Sequence, residues 1–192
     1  MFSSGGTEAN ALALTPGLRR GRGQPVQRLL VSAIEHASVL AGGRFPTEAI
    51  GTINVTGSGL VDLDHLRALL ADGPPALVSV MLANNETGAM QPVAEVADIV
   101  HAAGGLLHVD AIQAFGKIPF DIKSIGADLD HAVGAQDRRP QGRRAPWFWP
   151  RRCRAWSRCC AAAGRSSGAG PAPRMSRAFR RSARRPRPRW RP

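Results

Sequence analysis

The sequence predicts an α/β fold over residues 1–129, with a mostly parallel sheet and flanking helices. Two observations lead to this prediction. Short apolar segments rich in β-branched residues alternate along the chain with segments whose apolar residues recur at helical spacing. Polar residues also follow the predicted strands at the points where they end, and ligands of parallel sheets bind beyond those carboxyl ends.

The first predicted elements are a helix and two strands. Small and polar residues over 3–10 lead into a helix-like segment, 11–14. Residues 28–34 have the apolar, β-branched composition of a buried strand. Residues 52–55 form a second predicted strand, which ends at the glycine-containing turn 57–59.

The next elements alternate regularly between helix and strand. Asp62 can cap a helix, which the Gly-Pro-Pro sequence at 73–75 ends. Residues 76–82 are apolar almost throughout, as expected of a strand covered on both faces. A helix over 93–103 and a strand over 106–110 come next. This order implies right-handed crossovers between parallel strands.

Charge is distributed unevenly along the chain. The formal net charge is +12, but residues 1–129 carry eight basic and twelve acidic side chains, whereas 130–192 carry eighteen arginines and two acids. All four tryptophans, all three cysteines and eight of the fifteen prolines also lie after Leu129. We therefore predict a boundary at Leu129, followed by a disordered Arg/Pro-rich tail over 130–192.

Several classes of protein are excluded at this point. No apolar run is long enough for a transmembrane helix, and the first residues do not resemble a signal peptide. Cys153, Cys159 and Cys160 are odd in number and lie close together, which argues against a disulfide framework. We expect a cytoplasmic protein without a metal site.

Three polar features lie at the predicted carboxyl edge of the sheet. Thr7 and its small neighbours can open a helix whose free N–H groups hold an anion. His36 follows the first strand, and Asp110 ends an apolar strand, where a carboxylate needs a partner. Each has an ordinary alternative, namely a capped loop, a structural histidine or a capped turn. Their convergence on one edge favours an active site.

These residues belong to segments that resemble a known family. The segments FSSGGTEANALAL, EHASVL, GLVDLDHLRALL, LVSVMLANNETGAMQPV and LLHVDAIQAFGKIPFDI resemble consecutive blocks of the cysteine desulfurases. Those enzymes depend on pyridoxal 5'-phosphate (PLP) and belong to the class V aminotransferase group with the fold-type I architecture. The resemblance covers residues 1–129 and implies that this segment is part of the PLP-binding large domain.

The resemblance assigns roles to the residues that match the family blocks. Gly6 and Thr7 match the positions that bind the cofactor phosphate at a helix N-terminus. His36 matches the catalytic histidine that stacks on the pyridine ring and moves protons. Asp110 matches the carboxylate that pairs with the pyridinium nitrogen.

Two further residues and the reaction itself follow from the same resemblance. Gln113 matches the residue that hydrogen-bonds the phenolate oxygen of the cofactor, and Asn85 matches the asparagine beside that oxygen. The implied reaction removes sulfur from L-cysteine, giving L-alanine and an enzyme persulfide. The sulfur passes to acceptor or scaffold proteins for iron–sulfur cluster assembly or thio-modification, and intact relatives are homodimers.

The pattern breaks after Leu129. The family continues with a strand and then Ser-x-His-Lys, whose lysine binds PLP covalently, but this chain has no lysine after Lys123. Codons for residues 133–138, read one base later, can give Ser-Ala-His-Lys-Ile, with the lysine codon straddling Gln136 and Asp137. Later family blocks can be recovered with the same shift. The hypothesis is a frameshift after Leu129.

The chain is therefore expected to be an inactive fragment that holds PLP only weakly. It begins later than family members do, and its cysteines match no family cysteine. Another class V enzyme, such as a selenocysteine lyase or an aminotransferase, is the enzymatic alternative. A nucleic-acid-binding protein is the other alternative, because an arginine-rich tail can contact phosphate backbones nonspecifically.

Overall fold

The computed structural model describes residues 5–114, 117–119, 121, 124–133 and 146–150. Helices and strands alternate through most of this part of the chain. In order they are α1 (Gly6–Ala13), β1 (Arg28–Ser32), α2 (Ala37–Leu40), β2 (Ile50–Ile53), α3 (Leu63–Ala71), β3 (Ala76–Met81), α4 (Val93–Ala102), β4 (Leu106–Asp110), β5 (Leu129–Val133) and β6 (Pro146–Pro150), with a short 3₁₀ helix at Thr47–Ala49 before β2.

The strands form one six-stranded sheet in the order β2-β1-β3-β4-β5-β6. The pairings among β1 to β5 are parallel, and β6 pairs with β5 in the antiparallel direction. The α/β fold with a mostly parallel sheet is therefore confirmed. All six residues of β3 are buried, because this strand is central and covered on both faces.

Apolar side chains pack on both faces of the sheet. On β4, Leu107 and Val109 join the core beneath α3 and α4, whereas Leu106 faces the opposite core. That second core includes Ala13 and Leu14 at the end of α1. Because side chains alternate along a strand, Asp110 shares its face with Leu106 and points toward the α1 side.

The helix ends are set by the local sequence. Asp62 caps α3, since its Oδ1 accepts hydrogen bonds from the backbone N–H groups of Asp64 and His65, both at 3.0 Å. After α4, Gly104 has a φ of +72° and provides the left-handed residue that commonly ends a helix. Glycine is also favoured at Gly126, which has a φ of +74° and packs closely against α4. A Cβ added there would lie only 2.8 Å from the Ala97 Cβ.

Some boundaries differ from the sequence prediction. Helix α1 begins at Gly6, well before the predicted 11–14, because Ala9, Asn10 and Ala13 form a buried face that packs against the sheet. Strand β2 begins two residues earlier than predicted, since its register is set by pairing with β1, Leu29 opposite Ile50.

The sheet also extends past the predicted boundary at Leu129. Residues 130–133 of β5 and 146–150 of β6, which composition assigns to the tail, are paired strands. Strands pair through backbone hydrogen bonds, so pairing depends less on amino-acid composition than core packing does. Residues 151–192, including the cysteines and the rest of the predicted disordered tail, lie outside the described residues. Within the part of the chain that the structure covers, no helix is long and apolar enough to cross a membrane.

Candidate active site

A cavity of about 360 Å³ lies at the carboxyl edge of the sheet. Its wall is formed by the start of α1, the segments after β1 and β3, and the end of β4 with the turn after it. The structure brings all of the predicted site residues together here. They are Gly6, Thr7, His36, Asn85, Asp110 and Gln113.

The N-terminus of α1 contributes one wall of the cavity through Gly6 and Thr7. The N-cap residue of this helix is Gly5, which has no side chain of its own to cap the helix. The backbone N–H groups of a first helical turn have no partner inside the helix, and the helix dipole adds partial positive charge there. This wall is therefore suited to an anionic group such as a phosphate.

Asp110 also lines the cavity and is only 7% exposed. Its Oδ1 accepts a hydrogen bond from the backbone N–H of Ile112 at 3.0 Å, and its Oδ2 accepts one from the Asn10 Nδ2 at 3.2 Å. Both carboxylate oxygens are thus held in place by donors. A carboxylate fixed in this way can pair with a cationic ring nitrogen.

His36 stands at the start of the short helix α2 and caps it with its ring. The His36 Nδ1 accepts a hydrogen bond from the backbone N–H of Ser38 at 3.1 Å and lies 2.7 Å from the Ser38 hydroxyl. The same hydroxyl accepts a hydrogen bond from Asn10 at 2.9 Å. These contacts fix the ring at the cavity wall, where it could stack on a planar group.

The turn after β3 depends on Asn84, which is buried. Its Oδ1 accepts hydrogen bonds from the backbone N–H groups of Glu86 and Thr87 at 2.8 and 2.9 Å. Its Nδ2 donates to the backbone carbonyl of Ile34 at 3.2 Å. Asn84 therefore ties this turn to the segment after β1, and the turn places Asn85 at the cavity.

Gln113 lines the cavity just beyond β4, and its Oε1 accepts a hydrogen bond from the Nζ of Lys117. Lys117 is exposed. Lys123 lies outside the described residues, as do Gln136 and Asp137, on which the frameshift hypothesis places the missing lysine codon. Lys117 is the lysine whose contacts the structure describes, and they place it next to the proposed phenolate-binding residue.

Glu35 is a buried carboxyl group that adjoins this site. It is 6% exposed, and its Oε1 accepts a hydrogen bond from the backbone N–H of Met81 at 2.6 Å. The Oε2 has no hydrogen-bond partner among the described residues. Burial raises the pKa of Glu35 well above its usual value, and the nearby Asp110 charge adds to the increase, while the Met81 hydrogen bond opposes it.

Sequence reasoning did not assign roles to three residues of this site: Asn10, Ser38 and Glu35. Asn10 lies three residues after Thr7, on the helical face that points to the cavity, and that spacing was a usable signal. It was missed because the helix was predicted to begin at residue 11. The contact of Ser38 with Asn10 and that of Glu35 with Met81 depend on tertiary packing and have no local signature.

The polar groups around the cavity match what PLP would require. The helix N-terminus suits a phosphate, Asp110 suits a pyridinium nitrogen, and the amides of Asn85 and Gln113 suit a phenolate oxygen. In addition, Asn10, which lines the cavity, has a buried Oδ1 without a partner in the described part of the chain. The cavity also falls within the usual volume range of small-molecule sites, roughly 300–1,000 Å³.

Comparison with known proteins agrees with this geometry. The family model described as aminotransferase class-V matches residues 1–136. A cysteine desulfurase of Cereibacter sphaeroides is 39% identical over 153 residues, which are 77% of this chain and 38% of that protein. The cysteine desulfurase NifS of Azotobacter vinelandii is 35% identical over 146 residues, which are 74% of this chain and 35% of that protein.

A solved structure shows the same likeness. The NifS-like protein from Rickettsia africae ESF-5 superposes with a TM-score of 0.61 at 34% identity, covering 77% of this chain and 39% of that one. The chain thus spans less than two-fifths of the length of these relatives.

Fold and site together define a PLP-dependent enzyme domain of the fold-type I class. More specifically, the chain belongs to the class V aminotransferase family. The predicted resemblance to cysteine desulfurases is confirmed by the relatives that it matches, and PLP is the cofactor of this family.

Proposed function

We propose that this chain is part of a cysteine desulfurase, which removes sulfur from L-cysteine to give L-alanine and an enzyme persulfide. The observation that carries the proposal is the convergence of the predicted site residues on one cavity at the carboxyl edge of the sheet. The names of the relatives support the choice of L-cysteine as the substrate.

In this proposal each residue acts on one part of the cofactor or substrate. Gly6 and Thr7 bind the phosphate through the start of α1. Asp110 would hold the ring nitrogen in its protonated form, and bound PLP would supply an electron sink for the substrate α-carbon. His36 stacks on the ring and carries a proton to or from the reacting centre.

The amide side chains complete the proposed site. Gln113 and Asn85 hydrogen-bond the phenolate oxygen, and the turn built by Asn84 holds Asn85 in place. The sulfur acceptors of the intact protein would be scaffold or carrier proteins for iron–sulfur cluster assembly, in the cytoplasm, and the intact protein would be a homodimer.

We further propose that the chain as translated is inactive, because it has no lysine after Lys123 to bind PLP covalently. The frameshift hypothesis places the missing lysine codon across Gln136 and Asp137, which come within four residues of the end of β5. Strand β5 runs parallel to β4, with His131 opposite Asp110 in the register. A lysine at this point of the sequence would come after the strand that adjoins the Asp110 strand.

Sequencing the DNA around the Leu129 codon tests the frameshift directly. One extra base, or two missing bases, relative to the frame that encodes Ser-x-His-Lys is the expected result. The same reading frame throughout, with no alternative lysine codon, would contradict it.

The cofactor is tested with two chains, the 192-residue protein and a version with the frame restored after Leu129. Both carry Lys117→Arg, which removes the amine beside Gln113. After incubation with PLP and borohydride reduction, peptide mapping should find a covalent adduct on the restored lysine and none on the unrestored chain. Asp110→Asn in the restored chain should weaken PLP binding.

Two results would contradict the proposed function. One is that neither chain binds PLP, as measured by absorbance and fluorescence titration. The other is that the unrestored chain converts L-cysteine to alanine faster than free PLP does, since that would show catalysis without the proposed lysine.

A further inference from the structure

We infer that Asn10 is a positioning residue, which joins Asp110 and His36 through Ser38 in one hydrogen-bonded chain and, together with the Ser38 backbone N–H, favours one tautomer of the histidine. The part of this inference that concerns PLP rests on the proposed function. The part that concerns the histidine rests on the contacts of the protein alone.

The orientation of the Asn10 side chain is determined by the charge of Asp110. Asn10 is 1% exposed, and one end of its amide lies 3.2 Å from the Asp110 Oδ2 and 2.9 Å from the Ser38 Oγ. An ionised carboxylate can only accept hydrogen bonds. The atom that faces it must therefore be the amide nitrogen, because the opposite orientation would bring two acceptors together.

The same orientation decides which way the next hydrogen bond runs. The Asn10 Nδ2 carries a second hydrogen, which it donates to the Ser38 hydroxyl oxygen. The hydroxyl hydrogen is then free to point at the His36 Nδ1, 2.7 Å away. Asp110 thus orients Asn10 and, through it, the Ser38 hydroxyl, and the Ser38 backbone N–H, which donates to the same Nδ1, leaves the hydroxyl to act as the second donor there.

Two donors converge on the His36 Nδ1. They are the Ser38 hydroxyl at 2.7 Å and the Ser38 backbone N–H at 3.1 Å. A proton on Nδ1 would face both of them, so the neutral ring carries its proton on Nε2. The histidine therefore presents its Nε2–H, away from the α2 cap.

A purely stabilising role explains Asn10 less well. Its Oδ1 is buried and has no partner among the described residues. Burying an amide oxygen without a hydrogen bond is unfavourable, and an apolar side chain of similar size would avoid this. The contacts to Asp110 and Ser38 account for an asparagine at this position.

The first test measures the tautomer of His36 in the full 192-residue chain without PLP. Long-range ¹H–¹⁵N correlation spectra of protein labelled with ¹⁵N-histidine distinguish a protonated from an unprotonated Nδ1. The wild-type His36 should be in the Nε2–H form. Ser38→Ala removes the hydroxyl donor and Asn10→Leu releases its orientation, while the Ser38 backbone N–H still faces Nδ1 in both variants. Each variant should therefore lower the ratio of the Nε2–H to the Nδ1–H form about threefold.

His65 is the internal control for this measurement. Its Nδ1 accepts a hydrogen bond from the backbone N–H of Asn54 at 3.0 Å, far from Asn10 in sequence, and its tautomer should be the same in all variants. If Asn10→Leu does not fold, as judged by the His65 signal, Ser38→Ala alone tests whether the Ser38 hydroxyl influences the tautomer of His36.

The second test uses two ligands to isolate the effect of the hydrogen bond between Asn10 and Asp110. PLP and an analogue with carbon in place of the ring nitrogen are titrated against wild type, Asn10→Leu and Ser38→Ala. Asn10→Leu should weaken the binding of PLP about tenfold more than it weakens the binding of the analogue, as expected for the loss of one charge-assisted hydrogen bond to Asp110. Ser38→Ala should affect both ligands equally.

The outcomes distinguish this inference from the proposed function. An Nδ1–H tautomer in the wild type, or a tautomer that neither variant changes, would overturn the inference whether or not PLP binds. If Asn10→Leu weakened the binding of PLP and of the analogue equally, the inferred role of Asn10 in holding Asp110 would be wrong. Absence of PLP binding by wild type would contradict the proposed function, and the tautomer would still decide the role of Asn10.

Discussion

Replacing Glu35 with glutamine should stabilise the protein, and the gain should grow as the pH rises. Glu35 is buried, so its charged form is disfavoured and its folded-state pKa is well above the usual value. Glutamine keeps an oxygen that can accept the Met81 N–H, now at 2.6 Å, and it has no charge to lose. The pH dependence isolates the ionisation from the other effects of the substitution.

The sign and size of the effect are given by proton linkage. Below the unfolded pKa of about 4.3, both states hold the proton, and Glu35 adds no pH-dependent term. As the pH rises toward the folded pKa, the unfolded state releases its proton while the folded state keeps it, and stability is lost. The loss is about 1.4 kcal/mol for each unit by which the folded pKa exceeds the unfolded one.

Urea unfolding followed by far-UV circular dichroism, at intervals from about pH 4 to about pH 8, measures this effect. The free energy of unfolding of Glu35→Gln minus that of wild type should increase across the interval. Glu48→Gln is the matched control, because Glu48 is exposed and the same substitution there should give a nearly constant difference. A constant difference for Glu35→Gln as well would refute the argument that burial keeps Glu35 protonated.

Three further predictions concern packing, capping and the cavity turn. Leu66→Ala, at a fully buried position of α3, should lower the free energy of unfolding by about 2–5 kcal/mol in urea denaturation. Asp62→Ala removes the side-chain cap of α3 and should cost about 1 kcal/mol in the same assay, whereas Asp62→Asn should recover most of the loss. Asn84→Ala should destabilise the protein by about 1 kcal/mol, because the backbone groups of Glu86, Thr87 and Ile34 lose their hydrogen-bond partner, and it should weaken PLP binding through Asn85. An unchanged affinity for PLP would show that the turn does not position Asn85 for binding.

The central strands could be predicted from the sequence because their signal is local. Strands β3 and β4 lie within one residue of the predicted 76–82 and 106–110, since a strand covered on both faces must be apolar at successive positions. Strand β2 is less apolar and lies at the sheet edge, and only its last residue, Ile53, is fully buried. Its limits therefore depend on pairing with β1, which a local pattern does not contain.

Strand β6 was missed for a different reason. Composition assigned Pro146–Pro150 to the tail, yet its central residues, Trp147, Phe148 and Trp149, are aromatic and favour strands. The uneven charge of the whole segment after Leu129 outweighed this short local signal. An average of amino-acid composition over a long segment therefore hides a short strand within it.

The site residues were predictable to the extent that they lie at the ends of strands. His36, Asn85 and Asp110 come shortly after or at the end of β1, β3 and β4, and parallel strands bring their carboxyl ends to one edge. The hydrogen bonds between them were not predictable in this way. Asn10 contacts Ser38 and Asp110 across 28 and 100 residues of sequence, so its role appears only when the packed structure is known.

The position of the cavity within the chain explains how the chain can belong to the family and still be inactive, as we propose. The described residues that line the cavity all lie between Gly6 and Gln113, before the composition changes. The groups proposed to bind the phosphate, the ring and the phenolate oxygen are therefore encoded upstream of the proposed frameshift. The lysine proposed to attach PLP covalently would lie beyond β5. A chain that changes character after Leu129 can keep the shape and charge of this site, yet lack the amine that the proposed reaction requires.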